Sequence, residues 1–382
     1  MRLETEKLEA KKRLEGSRIV VKVGSSSLTS VECGLRTDQV ERVAKLLAES
    51  HSAGIQVVLV TSGAVASGAP SLGLPLPVRQ QPLRRAAASV GQMRLMQEYA
   101  KACANFNIGV GQILLTRRDF ALRTAYDSVR ETIETLLSQG VLPIINENDS
   151  VSLHTDSFGD NDMLSALLAS LLHADLLVIF TDTDGVYTDN PHTNPSAQKL
   201  SSISEINNSI YNGARGEGIS RAGTGGMSAK LKAADQALIL GVRSYIGSFE
   251  ATSSIITIIN GDGTGTYIGA LQESRRNRKY QWIAFHSPVL GSVSIDNGAM
   301  IALIEHSRSL LPAGVIGVQG HFAAGGVITV TDTEGRVIAK GISNYTSAQI
   351  TSALGKPTSY ARETLKVEKD EIIHRNNLIM FV

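Results

Sequence analysis

The stretch VVKVGSSSL, residues 20–28, joins an apolar strand to a loop of small polar residues. Lys22 stands in a run that is otherwise valine, where a charged side chain is unfavourable unless an anion meets it. Gly24 and the three serines that follow offer backbone N–H groups and hydroxyls beside that charge. The stretch therefore predicts a buried strand that ends at an anion site. The alternative is a lysine that reaches solvent from the end of a sheet.

Further apolar runs alternate with helical patterns over about the first 250 residues. The predicted strands are Ile19–Val23, Val57–Thr61, Val110–Leu115, Val141–Asn146, Leu176–Thr181 and Arg243–Ile246. The predicted helices are 38–53 with Thr37 as N-cap, Leu83–Asn105, Thr124–Ser138, Asn161–His173 and Ser228–Leu240. Such alternation is typical of a parallel sheet with helices on both faces. In these sheets ligands bind beyond the carboxyl ends of the strands, so the chemistry is expected in the loops there.

Composition narrows the classes of protein to consider. The chain has 382 residues, of which 42% are hydrophobic, so a folded protein of two domains is expected. A net charge of +1 gives no bulk attraction to nucleic acid or membrane. Cys33 and Cys103 form no CxxC pair, which disfavours a disulfide framework and fits a reducing cytoplasm. Neither an apolar run of 18 residues nor a secretory signal occurs, so no membrane span is expected.

The pattern changes after residue 260. The basic stretch RRNRK at 275–279 precedes a glycine-spaced β pattern, in which Gly326–Asp332 and Arg336–Gly341 are predicted strands of a small hairpin-rich domain. The predicted organisation is an N-terminal extension at 1–16, a first domain at 17–260, a linker at 261–286 and a second domain at 287–382.

Two more polar loops of the first domain follow predicted strands. In VTSGAVASG, residues 60–68, small residues lead into a helix, whose N-terminus favours an anion; Gly63 and Gly68 could equally relieve crowding. IINENDSV at 144–151 and FGDNDMLSA at 158–166 contribute six acids and amides, which are Asn146, Glu147, Asn148, Asp149, Asp160 and Asp162. Such a set could bind an ammonium group, hold lysine side chains in position or coordinate Mg²⁺. Helix capping needs only one of these residues.

The segments FTDTDGVYTDNP (180–191) and AGTGGMSAKLKAA (222–234) complete the polar loops. A glycine-rich loop that opens a helix is a phosphate-binding arrangement, and Lys230 brings a second cation to its first turn. The P-loop pattern, GxGxxG and HExxH are all missing from the sequence, which disfavours P-loop, Rossmann and zinc-protease chemistry. Two lysines near a phosphate-binding loop favour phosphoryl transfer.

These segments, in this order, resemble the amino acid kinase superfamily, and NENDSV, FGDND and GTGGMSAK resemble its glutamate-phosphorylating branch. GSVSIDNGA, HSRSLLPAGV and TEGRVIAKGISNY resemble a C-terminal PUA domain. The resemblance runs from about residue 17 to the end. It implies an α/β fold, in which a three-layer α/β/α sandwich is followed by a small β-rich PUA-like barrel.

The resemblance also implies a reaction, in which the γ-phosphoryl of ATP passes to the side-chain carboxylate of L-glutamate with Mg²⁺ as cofactor, at the start of proline biosynthesis. Lys22 and Lys230 would hold the phosphates, and Asp162 would organise them. The implied acceptor-binding residues are Ser62, Asp149 and Asn161. The implied nucleotide-binding residues are Lys22, Thr181, Asp182, Thr224, Gly225, Gly226, Met227, Ser228, Ala229 and Lys230. Asp149 suits the ammonium of glutamate, whereas Ser62 and Asn161 can donate to its α-carboxylate.

The same resemblance implies a cytoplasmic homo-oligomer with proline as feedback inhibitor and a glutamyl phosphate reductase as a partner. One alternative is another superfamily member that phosphorylates acetylglutamate, aspartate, UMP or carbamate. A second is a regulatory RNA-binding PUA protein, but residues 287–382 contain 8 Lys+Arg and 8 Asp+Glu, a net charge of 8 − 8 = 0. RNA binding is therefore not expected. A regulatory module without catalysis would not need Lys22, Asp162 and Lys230 together.

Overall fold

A computed structural model describes residues 16–30, 34–152, 161–191, 193–213, 226–269, 289–304, 306, 308–365 and 367–380. The chain divides into two compact units: the first comprises Met1–Asp119 and Thr124–Arg275, and the second comprises Phe120–Arg123 and Arg276–Val382. The boundaries predicted at 16, 260 and 286 remain predictions.

The first unit is built on strands and helices that alternate along the chain. Its strands are β1 (Arg18–Val23), β2 (Thr29–Ser30), β3 (Gly34–Leu35), β4 (Gln56–Val60), β5 (Val110–Leu115), β6 (Leu142–Glu147), β7 (Leu176–Thr181), β8 (Val186–Tyr187), β9 (Lys199–Leu200), β10 (Ser202–Ile203), β11 (Arg243–Ser248) and β12 (Thr266–Ile268). Its helices are α1 (Ser25–Leu28), α2 (Thr37–Ser52), α3 (Ala64–Gly68), α4 (Gln81–Ala104), α5 (Arg117–Ala121), α6 (Arg123–Ser138), α7 (Asn161–Leu171), α8 (Asn208–Gly213), α9 (Met227–Ile239) and α10 (Ile255–Ile259).

Eight of these strands form one sheet in the order β10-β12-β11-β7-β1-β4-β6-β5. Neighbours are parallel except β11 and β12, which are antiparallel. Strand β1 lies near the middle, where Lys22 is opposite Val60 of β4 and Ile179 of β7. Strands β6 and β7 are buried along their whole length, as expected for a parallel sheet covered on both faces.

The two faces of β1 bury different neighbours. Ile19, Val21 and Val23 belong to the core that α2 and α4 cover. Side chains alternate between the two faces along a strand, so Lys22 lies on the face opposite to that of Val21 and Val23. On that face α7 packs against β1, and α9 packs against α7. The three-layer α/β/α sandwich is therefore confirmed, and Lys22 lies on the α7 side of it.

The predicted strands and helices are present, with ends displaced by about one to two residues, as is usual at element boundaries. Thr37 was expected to cap α2, and this is wrong. The helix begins at Thr37, its N-cap is Arg36, and no side chain caps it. The Arg36 side chain instead donates a hydrogen bond to the Asp38 carboxylate. Asp38 lies in the first turn, where a negative charge is favoured by the positive end of the helix dipole.

The second unit contains a five-stranded sheet. Its strands are β13 (Gly291–Ile295), β14 (Val315–Gln319), β15 (Val327–Thr331), β16 (Val337–Ile342) and β17 (Leu378–Met380), and its helices are α11 (Asn297–Ile304), α12 (Ser347–Ala353) and α13 (Thr358–Leu365). The sheet order is β14-β13-β15-β16-β17. A separate apolar core that includes Val293, Ile328 and Tyr345 holds the unit together, and the predicted small β-rich domain is confirmed.

Throughout the described ranges, every helix is too short or too polar to cross a lipid bilayer.

Candidate active site

The sheet order brings the carboxyl ends of four parallel strands side by side. Strands β7, β1, β4 and β6 are consecutive neighbours. Thr181 ends β7, Lys22 stands one residue before the end of β1, Ser62 follows β4 by two residues, and Asn146 stands one residue before the end of β6. Thr181, which the sequence assigns to the nucleotide, thus lies at one end of this row, and Ser62, which it assigns to the acceptor, lies in the other half. Lys22 is between them.

A buried group of three charges lies beside the middle of the row. Lys22 Nζ is 2.5 Å from Asp162 Oδ1, and Lys230 Nζ is 3.3 Å from Asp162 Oδ2. The carboxylate is fully buried and both lysine side chains are nearly so. One carboxylate therefore holds two ammonium groups from different elements, and this agrees with the organising role that the resemblance implies for Asp162.

Each member of this group is placed by its local structure. Asp162 is in the first turn of α7, where the helix dipole favours an anion. Lys230 is in the first turn of α9, which packs directly on α7. The ammonium of Lys22 lies close to the loop after β1, since a Cβ added to Gly24 would be 3.3 Å from Lys22 Nζ. Gly24 therefore leaves room for this ammonium.

On the nucleotide side, Thr181 Oγ1 donates to Asp182 Oδ1 at 2.9 Å, and Asp182 is exposed. Helix α9 begins after its N-cap residue, Gly226, which has no side chain to cap the helix. The space where a side chain of Gly226 would lie is open. The amides of Ala229 and Lys230 donate to the carbonyl of Gly226. The start of α9 can therefore present its first N–H groups, those of Met227 and Ser228, to an anion. Thr224 and Gly225 lie outside the described residues.

On the acceptor side, Asn161 links three strand-end loops. Its Nδ2 donates to the carbonyl of Thr61 at 2.7 Å and to Asn146 Oδ1 at 2.8 Å, and it is 2.8 Å from Ser62 Oγ. An amide nitrogen carries only two hydrogens, and the Thr61 carbonyl and Asn146 Oδ1 can only accept them. The hydroxyl hydrogen of Ser62 is thus left for another acceptor.

The orientation of Asn161 changes the role that the sequence suggested for it. Its Oδ1 is buried, and no described group donates to it. Asn161 was expected to donate to the α-carboxylate of the acceptor, but both of its hydrogens are already used. Its carbonyl oxygen is the atom that needs a partner, and a buried acceptor without one is unfavourable. Asn161 is therefore suited to a ligand that donates a hydrogen bond.

Asp149 follows β6 and lies in a negative environment. Desolvation by burial, reinforced by the charge of Glu147, raises the pKa of Asp149 to about 6, and Arg84 partly opposes the rise. Glu147 is itself buried, and its Oε1 accepts a hydrogen bond from Ser152 at 2.7 Å. Two carboxylates that share a poorly hydrated region favour a cation between them. This is the chemistry expected at a binding site for an ammonium group.

Helix α4 supports the acceptor side with two residues that the sequence analysis missed. Gln92 Oε1 accepts from Asn146 Nδ2 at 2.8 Å, and the Tyr99 hydroxyl shares a 3.0 Å hydrogen bond with Thr61 Oγ1. Both are buried and lie seven residues apart, on the same apolar stripe as Leu95. The sequence signal that could have identified these two residues is the presence of polar groups on a helix face that is otherwise apolar.

Metal ligands were left open by the sequence. Within the described ranges, no group of three or more His, Cys, Asp or Glu side chains could hold a metal ion. Asp162 is in contact with two lysines. Mg²⁺ in proteins commonly retains water and is bound largely through substrate phosphates.

The two buried lysines beside this row of strand ends suit phosphoryl transfer, and comparison with known proteins agrees. The chain belongs to the amino acid kinase family, whose model matches residues 17–248. The model of the PUA domain matches residues 291–363. Carbamate kinase from Giardia lamblia shares the fold, with a TM-score of 0.50 and 20% identity over 67% of this chain and 99% of its own.

Similarity to particular enzymes is stronger and spans nearly the whole chain. Glutamate 5-kinase from Geobacillus thermodenitrificans is 43% identical over 366 residues, which cover 96% of this chain and 98% of that protein. Glutamate 5-kinase 1 from Bacillus subtilis is 44% identical over 367 residues, which cover 96% of this chain and 99% of that protein. The resemblance that the motifs indicated is confirmed.

Proposed function

We propose that this protein transfers the γ-phosphoryl group of ATP to the side-chain carboxylate of L-glutamate and forms L-glutamyl 5-phosphate, the first step of proline biosynthesis. The observation that carries this is the position of Lys22, Asp162 and Lys230 beside a row of loops with nucleotide-type groups at one end and ammonium-binding groups at the other. The similarity to glutamate 5-kinases over 96% of the chain supports glutamate as the acceptor.

The acceptor site supplies a partner for each end of an amino acid. The carboxylate of Asp149, with Glu147 near it, attracts the α-ammonium group, and the free carbonyl oxygen of Asn161 accepts one of its hydrogens. The hydroxyl of Ser62 and nearby backbone N–H groups donate to the α-carboxylate. The side-chain carboxylate of glutamate is then directed along the row toward Lys22.

The chemical step needs positioning and charge neutralisation. A carboxylate is already a nucleophile, so no general base is required. Its approach to the γ-phosphate brings two anions together, and cations aimed at the transferring group stabilise the transition state. Lys22 and Lys230 supply these cations, and Asp162 holds both ammonium groups in place before the substrates bind.

The nucleotide lies at the β7 end of the row in this proposal. Thr181 and Asp182 contact the nucleoside, and the phosphates lie beside residues 226–230, with the N-terminus of α9 facing them. Magnesium would be held by phosphate oxygens and water, and it supplies charge neutralisation on the phosphates.

We further propose a cytoplasmic homo-oligomer that proline inhibits through the loops around the acceptor site. Cys103 is buried as a free thiol, which agrees with a reducing compartment. An acyl phosphate hydrolyses readily, so delivery of the product to a glutamyl phosphate reductase is favoured.

The test is acceptor-dependent release of ADP from Mg-ATP. We expect release with L-glutamate and none with aspartate, N-acetylglutamate, UMP or carbamate. Release with one of these alternatives instead of glutamate would retain the kinase assignment and overturn the proposed substrate.

A further inference from the structure

A chain of side-chain amides runs from the edge of the sheet to the acceptor site. Gln92 Nε2 donates to Gln112 Oε1 at 3.1 Å, Asn146 Nδ2 donates to Gln92 Oε1 at 2.8 Å, and Asn161 Nδ2 donates to Asn146 Oδ1 at 2.8 Å. Gln92 and Asn146 are buried, whereas Gln112 is exposed on β5. The chain thus links β5, α4, β6 and α7.

The direction of every bond near the acceptor site is fixed by a backbone group. Asn146 Oδ1 accepts the backbone N–H of Glu147 at 2.9 Å, and an N–H can only donate. Asn146 must therefore turn its Nδ2 toward Gln92, whose Oε1 must accept. Asn146 Oδ1 and the Thr61 carbonyl together fix the amide of Asn161, which leaves the Asn161 carbonyl oxygen for a ligand.

Gln92 is rigidly placed for this task. The next residue toward the N-terminus, Gly91, lies against α3 so closely that an added Cβ would be 1.8 Å from the carbonyl oxygen of Ala64. Helix α4 thus packs on α3 with backbone in contact with backbone. A glutamine on such a helix can hold a neighbouring amide with little freedom of its own.

We infer that Gln92 is a positioning residue for the amino acid acceptor: it holds Asn146, and through Asn146 it fixes which atom of Asn161 faces the substrate. The inference rests on the proposed function, because its ligand is the ammonium group of glutamate. Gln92 forms hydrogen bonds with Asn146 and Gln112, neither of which is assigned to phosphoryl transfer, so its effect falls on acceptor binding rather than on the nucleotide.

The test compares Gln92→Leu, Gln92→Glu and the control Gln97→Leu in the full-length protein. Leucine removes the acceptor for Asn146 Nδ2, whereas the glutamate side chain keeps an oxygen there. Gln97 is an exposed glutamine of the same helix. If Gln92→Leu does not fold, Gln92→Met takes its place as the apolar variant.

We expect Gln92→Leu to raise the KM for glutamate about tenfold, the size typical of a buried donor that loses its acceptor, while the KM for ATP stays unchanged. Gln92→Glu should restore most of the lost affinity for glutamate, and Gln97→Leu should match the unaltered protein. A purely structural role predicts the opposite order, since a buried carboxylate is tolerated less well than leucine.

Two results would overturn the inference alone: an unchanged KM for glutamate in Gln92→Leu, or a larger KM in Gln92→Glu than in Gln92→Leu. Failure of the unaltered protein and of Gln97→Leu to use glutamate would instead contradict the proposed function, and this inference with it.

Discussion

Lys22 illustrates at the residue scale how an apolar strand accommodates a charge. Its ammonium meets Asp162 at 2.5 Å, and the same carboxylate meets Lys230 at 3.3 Å. Removing one partner from a buried ion pair is strongly destabilising because the remaining charge loses its compensation. The contribution of Asp162 to stability and its contribution to catalysis should therefore be measured together.

Asp162→Asn should lower kcat about 100-fold, because the two lysines lose the carboxylate that orients them. The free energy of unfolding should fall by about 3–5 kcal/mol, as for other broken buried ion pairs. Urea denaturation and initial-rate kinetics measure the two effects, with Asp38→Asn on the exposed part of α2 as the control. A kcat close to that of the unaltered protein would contradict the organising role of Asp162.

The affinity for glutamate should depend on pH through Asp149. Its pKa of about 6 without ligand means that the carboxylate is ionised above this pH and protonated below it. Because the ionised form binds the ammonium group, the KM for glutamate should be constant above about pH 7 and rise as the pH falls below 6, approaching tenfold per pH unit. The KM for ATP should not share this rise.

Asp149→Asn is the matched variant for the pH experiment. It should raise the KM for glutamate at every pH and remove the rise below pH 6. A KM that stays flat down to pH 5 in the unaltered protein would show that Asp149 does not bind the ammonium group.

Sequence reasoning identified residues whose chemistry conflicts with their surroundings. Lys22 was found because it interrupts a valine strand, and Asp149 was found among an excess of acids after a strand. Gln92 and Tyr99 were missed because a polar residue on a helix stripe is informative only once its burial is known. The role of Asn161 was misjudged because the direction of an amide depends on three neighbours that are distant in sequence.

At the element scale, the loop after β1 and the contact between α3 and α4 both depend on glycine, for different reasons. Gly24 has an extended backbone, with φ −80° and ψ 163°, and its importance is the space it leaves for the Lys22 ammonium. Gly68 was expected either to admit a ligand or to relieve crowding. An added Cβ there would be 1.9 Å from the carbonyl oxygen of Ala87, so Gly68 allows α3 to pack on α4.

Gly24→Ala should separate activity from stability. Alanine adopts this backbone conformation freely, so the free energy of unfolding should stay the same or rise by about 0.5 kcal/mol. The added methyl would be 3.3 Å from Lys22 Nζ and would displace it slightly, and kcat should fall about tenfold, since catalysis is sensitive to small misplacements.

Gly109→Ala is the control for this variant, because its methyl group would lie 3.7 Å from the Val141 side chain, an ordinary van der Waals distance. A Gly24→Ala protein that is fully active would show that the position of the Lys22 ammonium beside the loop is not critical.

The strands and helices that periodicity predicted are those with enough residues to show a repeat. Val110–Leu115 and Leu176–Thr181 were predicted with their observed bounds. The edge strand β10 and its neighbour β12 have two and three residues and were missed, since so short a run carries no periodicity. Thr37 was assigned as a cap on residue type alone, whereas Arg36 and Asp38 form the start of α2.

At the scale of the whole molecule, strand order creates the candidate site. The neighbours β7, β1, β4 and β6 are not consecutive in sequence, and their order arranges four loops in a row. The sequence indicated the class of sheet and the side on which ligands bind, but it could not supply this order without the resemblance to a family. The second unit has its own core, which makes it a separate domain by the criterion of burial.

The second domain should not bind RNA. Residues 287–382 carry 8 Lys+Arg and 8 Asp+Glu, and a net charge of zero gives little of the phosphate attraction on which RNA binding depends. A mixed RNA pool should therefore show no mobility shift with the full-length protein at low salt. A salt-sensitive shift that competes with neither ATP nor glutamate would contradict this.

In the proposed reaction, the lysine-flanked site phosphorylates the side-chain carboxylate of glutamate. Hydroxylamine traps an acyl phosphate as a stable hydroxamate, so the decisive measurement is hydroxamate formed from Mg-ATP and L-glutamate by the unaltered protein and by Lys230→Ala. We expect glutamate-dependent hydroxamate that falls about 100-fold or more in the variant, because Lys230 acts on the transferring group. Absence of hydroxamate from the unaltered protein, or equal amounts from both proteins, would contradict it.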